Sequence, residues 1–154
     1  MAIEDDIKFL ERVPMLRLVG RAGLRILAIG SETRYVHGGE VLFHKDQPAD
    51  GGYVVQEGSF SLRNPDSERQ PIVLGPGSLI GELALLTETN HNVTATAIEP
   101  TTVFRIPRTL FTKMLEGYPD AARRIRDHVA VRADQSMRDL LGLRDRMDDG
   151  RRRS

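Results

Sequence analysis

Over residues 33–107 short runs of β-forming residues alternate with turn signals at close, regular intervals. Arg34-Tyr-Val36 precedes His37-Gly-Gly39, and Glu40-Val-Leu-Phe43 precedes Asp46-Gln-Pro-Ala-Asp-Gly-Gly52. Tyr53-Val-Val-Gln56 runs into Glu57-Gly58, and Ser59-Phe-Ser-Leu-Arg63 into Asn64-Pro-Asp66. Gln70-Pro-Ile-Val-Leu74 meets Gly75-Pro-Gly77. Residues 93–98, a Glu99-Pro100 turn and residues 101–106 complete the series. About eight strands of this length and spacing predict a sandwich, barrel or jelly roll. Phe43, Tyr53, Val55, Phe60, Leu62, Val73, Val103 and Ile106 are the expected inward positions. Asp46 and Asp50 are expected to cap the turn they flank.

Helices flank this β region. Ile3, Ile7, Leu10 and Val13 recur at helical spacing, which predicts a helix over 3–12 that Pro14 ends. A second helix is expected over 21–29, with Leu24, Leu27 and Ala28 on one side and Leu16 and Leu18 packed between the two. After Pro107, Leu110, Phe111, Met114 and Leu115 mark an amphipathic helix that stops at Gly117. Pro119 suits the first turn of a last helix, expected to reach about residue 147. Its apolar stripe is Ala122, Ile125, Val129, Ala133, Met137, Leu140 and Leu141. A stripe of that length predicts packing on the β region and then on a second copy, as a homodimer. The fold class is α+β: an eight-stranded antiparallel β-roll or jelly roll (33–107) after a helical bundle (1–30), followed by two C-terminal helices (108–147) and a basic tail (148–154).

The stretch Gly75-Pro-Gly-Ser-Leu-Ile-Gly-Glu-Leu-Ala-Leu-Leu-Thr-Glu-Thr-Asn-His-Asn-Val-Thr-Ala-Thr96 carries the chemistry. Turn residues lead to an extended piece, then Gly81-Glu82 opens a short apolar turn of helix, and a polar loop follows over 87–92. A glycine before a short helix lets backbone approach a ligand and leaves N–H groups pointing outward, an arrangement that binds anions. Glu82 beside it would repel phosphate, so it must be aimed elsewhere, for instance at sugar hydroxyls.

Other chemistries find little support. The chain has no cysteine, which excludes disulfides and thiolate sites. His37, His44, His91 and His128 lie in different elements without ligand spacing, and no metal or cofactor is expected. There is no phosphate-binding loop ending in Lys-Ser/Thr and no Gly-x-Ser-x-Gly elbow, so no enzyme is expected. No apolar run approaches the roughly 18 residues a membrane helix needs, and the acidic start lacks signal-peptide character. A cytoplasmic protein without a membrane partner follows. Residues 1–120 carry net charge −4 and residues 121–154 net +4. The body thus has no basic surplus for nucleic acid, and direct DNA binding is not expected.

The order of elements, together with Gly38-Gly-Glu-Val-Leu-Phe43, Asp46-Gln-Pro-Ala-Asp50, Tyr53-Val-Val-Gln-Glu-Gly58, Gly75-Pro-Gly77, Gly81-Glu-Leu-Ala-Leu-Leu86 and Val103-Phe-Arg-Ile-Pro107, resembles the cyclic-nucleotide-binding domain family. That family includes the regulatory domains of catabolite-activator-type factors, protein kinase A regulatory subunits and nucleotide-gated channels. The likeness covers roughly residues 35–125. It implies that residues 75–96 are a phosphate-binding cassette for cyclic AMP or cyclic GMP. Glu82 matches the glutamate that bonds the ribose 2′-hydroxyl. Gly81, Leu83 and Ala84 fall where backbone N–H groups reach the phosphate. His91, followed by Asn92, stands where the family carries a phosphate-pairing arginine. Arg132 on the last helix could cap a purine base or be a solvated arginine; Gly39, Gly58 and Gly77 are expected to be turn glycines only.

His91 is the main departure. Arginine offers a permanent charge and a two-pronged donor; histidine, with an ordinary pKa of about 6.5, is mostly neutral at pH 7. A nearby phosphate would favour its charged form, and the other expectation is a loop histidine that binds nothing. Losing a charge-assisted pair removes about 1.5–3 kcal/mol, on the order of 10- to 150-fold in affinity. Two functions therefore follow. One is a non-catalytic sensor that binds a cyclic nucleotide with weakened affinity and signals to an unidentified protein effector. The other is a degenerate fold acting through protein–protein contacts. The chain after Pro119 is too short for a helix-turn-helix output domain, so a stand-alone sensor or separated regulatory module is expected.

Overall fold

A computed structural model describes residues 2–131. The chain begins with three helices, α1 (Ala2–Leu10), α2 (Pro14–Arg17) and α3 (Arg21–Gly30). Pro14 does not terminate the first helix, which already ends at Leu10; it opens α2. Proline lacks an N–H, which the first helical turn does not need. Ile7, Leu10, Leu16, Leu24 and Leu27 are buried on one another, and Leu18 packs at their edge.

Ten strands follow among the described residues: β1 (Glu32–Val36), β2 (Val41–Phe43), β3 (Pro48–Ala49), β4 (Gly51–Glu57), β5 (Phe60–Arg63), β6 (Ile72–Leu74), β7 (Leu79–Ile80), β8 (Thr89–Asn90), β9 (Thr94–Ala97) and β10 (Thr101–Pro107). They form two four-stranded sheets, ordered β1-β10-β4-β7 and β2-β9-β5-β6, and a small β3-β8 pair. All pairings are antiparallel. The expected β-roll is thus present, and β3 and β8 are additions to it. Each has two residues, too few for an alternating pattern, and each lies in a segment that reads as a loop.

The first sheet is covered on both faces. Along β4 and β10, Tyr53, Val55 and Val103 point into the roll, against Phe43, Phe60 and Ala95. Val54, Phe104 and Ile106 point the other way, onto the helices. Ile106 is therefore buried but does not face inward with Val103, because residues three apart in a strand lie on opposite faces. Two covered faces explain why β4 is buried almost without alternation. Val73 is a plainer correction: it is 61% exposed, on the outer strand β6 of the second sheet. Leu62 is only partly buried.

Gly58 makes the β4–β5 turn possible. It adopts φ +88°, and an added Cβ would lie 2.4 Å from Thr101 Oγ1. That hydroxyl is fully buried and accepts a hydrogen bond from Ser59 N–H at 3.1 Å.

Helix α4 (Arg108–Gly117) leaves β10 directly and buries Phe111 and Met114. Pro119 then opens a last helix, α5, described over residues 119–131. Its seat on the core is Ala121 and Ile125, one helical turn apart. Ala122 and Val129 are half-buried beside that seat. The rest of the expected stripe, from Ala133 onward, lies outside the described residues. No described helix is long and apolar enough to cross a membrane.

Candidate functional site

The site is built where β7 ends. Tyr53 and Val54 of β4 pair with Ile80 and Leu79, fixing β7 against the centre of the roll. Gly81 then turns the chain with φ +83°, a conformation that L side chains rarely adopt. A Cβ there would lie 3.1 Å from Gly51 O, so space as well as conformation favours glycine.

The following segment, Leu83–Leu85, is a single 3-10 turn. Ala84 N–H donates to Gly81 O at 3.0 Å, Leu85 N–H to Glu82 O at 3.2 Å and Leu86 N–H to Leu83 O at 3.0 Å. Of the two amides expected at a bound anion, Ala84's is thus engaged inside the turn. Leu83's sits at the turn's start, where no preceding carbonyl is in register to receive it. Leu85 is fully buried and anchors the turn in the core, whereas the Leu83 side chain is 56% exposed.

Glu82 stands at the head of the turn with its side chain about three-quarters covered, and its Oε1 lies 3.6 Å from His128 Nε2 of α5. The sequence does not indicate this approach. His128 Nε2 is buried and has no hydrogen-bond partner among the described residues.

His91 closes the opposite side. It follows β8, and its backbone is held twice: His91 N–H donates to Gln47 O at 2.9 Å, and His91 O accepts from Asp46 N–H at 2.7 Å. The imidazole lies flat on Phe43, with ring centroids 3.6 Å apart and planes 8° from parallel. Only 8% of the residue is exposed. Burial pushes its pKa below the ordinary histidine value, and nearby Asp50 offsets part of that. His91 is therefore a buried histidine and neutral at neutral pH. The turn that holds it is capped by Gln47, whose Oε1 accepts from His44 N–H at 2.9 Å. Asp50 has another role than the expected cap: its carboxylate accepts from Arg105 Nη2 at 2.8 Å. Asp46 takes a left-handed backbone, φ +73°.

Gly81, Glu82, Leu83, Ala84, His91 and Asn92 all line one cleft of about 470 Å³. Ala49, Leu62, Leu79, Ile80, Thr89 and Asn90 complete its walls. The structure thus brings together the expected site residues, except Arg132, which lies outside the described residues. The size is in the range of small-molecule sites. Among the described residues, Glu82 is the sole charged residue in the lining, and no lysine or arginine contributes. A more open depression of about 600 Å³, lined by Asp50, Glu88 and Arg108 among others, shares the walls of the β3–β8 pair. Among the described residues no three His, Cys, Asp or Glu side chains cluster to hold a metal ion.

Sequence pattern alone does not single out Arg108. It is the first residue of α4, and its own N–H donates to Asp50 O at 2.7 Å. Its Nη1 lies within hydrogen-bond reach of three carbonyls: Ala49 O at 3.0 Å, Ala84 O at 3.3 Å and Thr87 O at 3.1 Å. The only local signal is an arginine directly after the strand-ending Pro107.

Known proteins share this architecture and sequence. The profile of the cyclic nucleotide-binding domain family matches residues 33–118. A solved structure of a cyclic nucleotide-binding-like protein from Brucella abortus is 36% identical to the chain, with TM-score 0.65, over 73% of this chain and 98% of its own. The HTH-type transcriptional regulator Cmr of Mycobacterium tuberculosis is 31% identical over 82% of the chain, which spans 56% of that regulator. The lysophospholipase NTE1 of Chaetomium globosum is 32% identical over 71% of the chain, which spans 8% of it. The chain therefore spans less than two thirds of the length of these curated relatives.

Proposed function

The chain belongs to the cyclic nucleotide-binding domain family, and from that premise we propose that it is a regulatory module whose cleft takes cyclic AMP or cyclic GMP. The supporting observation is the convergence of Gly81, Glu82, Leu83, Ala84, His91 and Asn92 on one cleft of suitable size. Glu82 would accept a hydrogen bond from the ribose 2′-hydroxyl. The amide of Leu83 would donate to the cyclic phosphate, and a neutral His91 would donate one ring N–H. The charge of an arginine is lacking there, which weakens binding by on the order of 10- to 150-fold relative to a charge-assisted pair. Because Glu82 approaches His128, ligand at the sugar subsite would alter what α5 contacts, and an effector or a dimer mate would read that shift.

A second function is favoured by one specific observation. His91 is buried, neutral and stacked on Phe43, and among the described residues no lysine or arginine lines the cleft. A roll kept for its shape, acting through protein contacts, has the same appearance. Titration calorimetry with cyclic AMP and cyclic GMP separates the two. The sensor requires a heat of binding and a rise in melting temperature. Silence in both measurements at millimolar nucleotide would overturn it.

A further inference from the structure

We infer that Arg108 is a positioning residue of the cleft: it holds the turn at 83–87 in the orientation that offers the Leu83 amide to a ligand, and it fastens that turn to the first residue of α4. The inference rests on the proposed phosphate subsite at the start of the turn. A short turn has two ends of unlike chemistry. The Leu83 amide emerges at the start, beside Gly81, and carbonyls emerge at the finish. Ala84 O and Thr87 O belong to the finish, and both lie within reach of Arg108 Nη1.

The same nitrogen reaches Ala49 O on β3, across the cleft wall. Ala84 and Ala49 are almost completely buried, so carbonyls there depend on a protein partner for their hydrogen bonds. A guanidinium suits this place because its charge strengthens the bonds that the two hydrogens of Nη1 share among the three carbonyls. Arg108 N–H bonds Asp50 O as well. One residue thus joins β3, the loop after it, the turn and α4. A displacement of the turn by ligand cannot leave the start of α4 where it was. Arg105 provides an internal control. Its side chain is 20% exposed, and among the described residues it bonds the carboxylates of Asp50 and Glu32.

The test uses the full chain as wild type, Arg108→Gln, Arg108→Lys and Arg105→Gln, in two measurements. The first compares affinity for cyclic AMP with affinity for adenosine, which keeps the ribose diol and lacks the phosphate. Arg108→Gln is expected to lower cyclic AMP affinity about tenfold or more while leaving adenosine within about twofold. Arg108→Lys should regain part of the loss, and Arg105→Gln should show none. The second measurement is amide hydrogen exchange of the free protein. In Arg108→Gln, exchange at Leu85, Leu86 and Thr87 should accelerate about tenfold more than exchange in β4 and β10.

Equal losses for cyclic AMP and adenosine, or an equal loss in Arg105→Gln, would overturn the inference. So would exchange that rises uniformly or stays unchanged. If wild type binds neither nucleotide nor nucleoside, the ligand proposal falls by itself. The exchange pattern then decides the role of Arg108 alone: acceleration confined to the turn upholds it, and any other pattern rejects it.

Discussion

The two sides of the cleft are held by different parts of the molecule. At one side Glu82, the proposed sugar-binding carboxylate, stands at the head of a single 3-10 turn and approaches α5 through His128. At the other, His91, expected where the family carries an arginine, is pressed onto Phe43, a member of the roll's inner core. The Glu82 side can respond to helices. The His91 side is part of the rigid β scaffold. A site divided in this way would, if the sensor proposal holds, separate signalling from anchoring. Under the proposed function, the His91 side would set how strongly phosphate is held, and the Glu82 side would set what the helices sense.

Breaking the rigid side should have the largest effect. Phe43 is 5% exposed and packs on Tyr53 as well as on His91. Phe43→Ala is expected to destabilise the fold by about 3–5 kcal/mol in urea denaturation. Should that variant fail to fold, Phe43→Leu still tests the link. Removing the stacked ring would hydrate His91 and move its pKa back toward the ordinary value in an NMR titration. If the titration of His91 does not move, Phe43 is not what shields it.

At the responsive side, Glu82→Gln removes the charged acceptor with little change in shape. Cyclic nucleotide affinity should fall by about 10- to 150-fold, and stability should stay within about 0.5 kcal/mol. His91→Ala should weaken binding less, because a neutral donor contributes less than a charged acceptor. Calorimetry on the two variants decides. A greater loss at His91 would reverse the assignment of the two sides.

Much of this contrast was legible in the sequence, but unevenly. The turn glycines and the alternation through Val55, Phe60 and Val103 outline the roll because they obey local rules of backbone conformation and strand period. Gly81 and Glu82 are legible as a motif for the same reason: their spacing is short and their chemistry unusual. The stack of His91 on Phe43 joins residues far apart in the chain, and nothing in either neighbourhood announces it. Arg108 is hidden in the same way, since its acceptors on β3 and the turn become neighbours only after folding. The β3–β8 pair is too short to leave a pattern. Val73 has a strand's composition, but only the sheet order reveals that its strand lies at an edge.

Acidification should draw the two properties of His91 apart. Its folded-state pKa lies below the ordinary value, chiefly because it is buried. Below about pH 6.5 the unfolded chain takes up a proton that the folded chain refuses. Stability is thus whole above that pH and declines as pH falls toward the folded pKa, by at most about 1.4 kcal/mol per pH unit from this one group. A bound phosphate favours the imidazolium, so ligand affinity should rise over the same descent. His91→Gln should lose both trends, and the difference between its denaturation and binding curves and those of wild type isolates them from the other histidines. If wild type and variant curves run parallel, His91 neither titrates with folding nor meets the phosphate.

The smallest effect belongs to the contact between the turn and α5. His128 Nε2 and Glu82 Oε1 are 3.6 Å apart, beyond a good hydrogen bond, and each side chain is about a quarter exposed. Pairs of this kind contribute about 0.2–1 kcal/mol. His128→Ala should therefore change the stability of the free protein by less than about 1 kcal/mol. Its influence should show in binding instead. If ligand at the sugar subsite displaces the imidazole from Glu82, removing His128 makes that displacement unnecessary, and affinity should rise by up to about fivefold. The gain should vanish in a Glu82→Ala background, because no side-chain acceptor is then left for the imidazole to meet. A gain that persists without Glu82 would mean that His128 acts through the position of α5 and not through the carboxylate, and the signalling side of the cleft would then lie in the helix packing at Ile125.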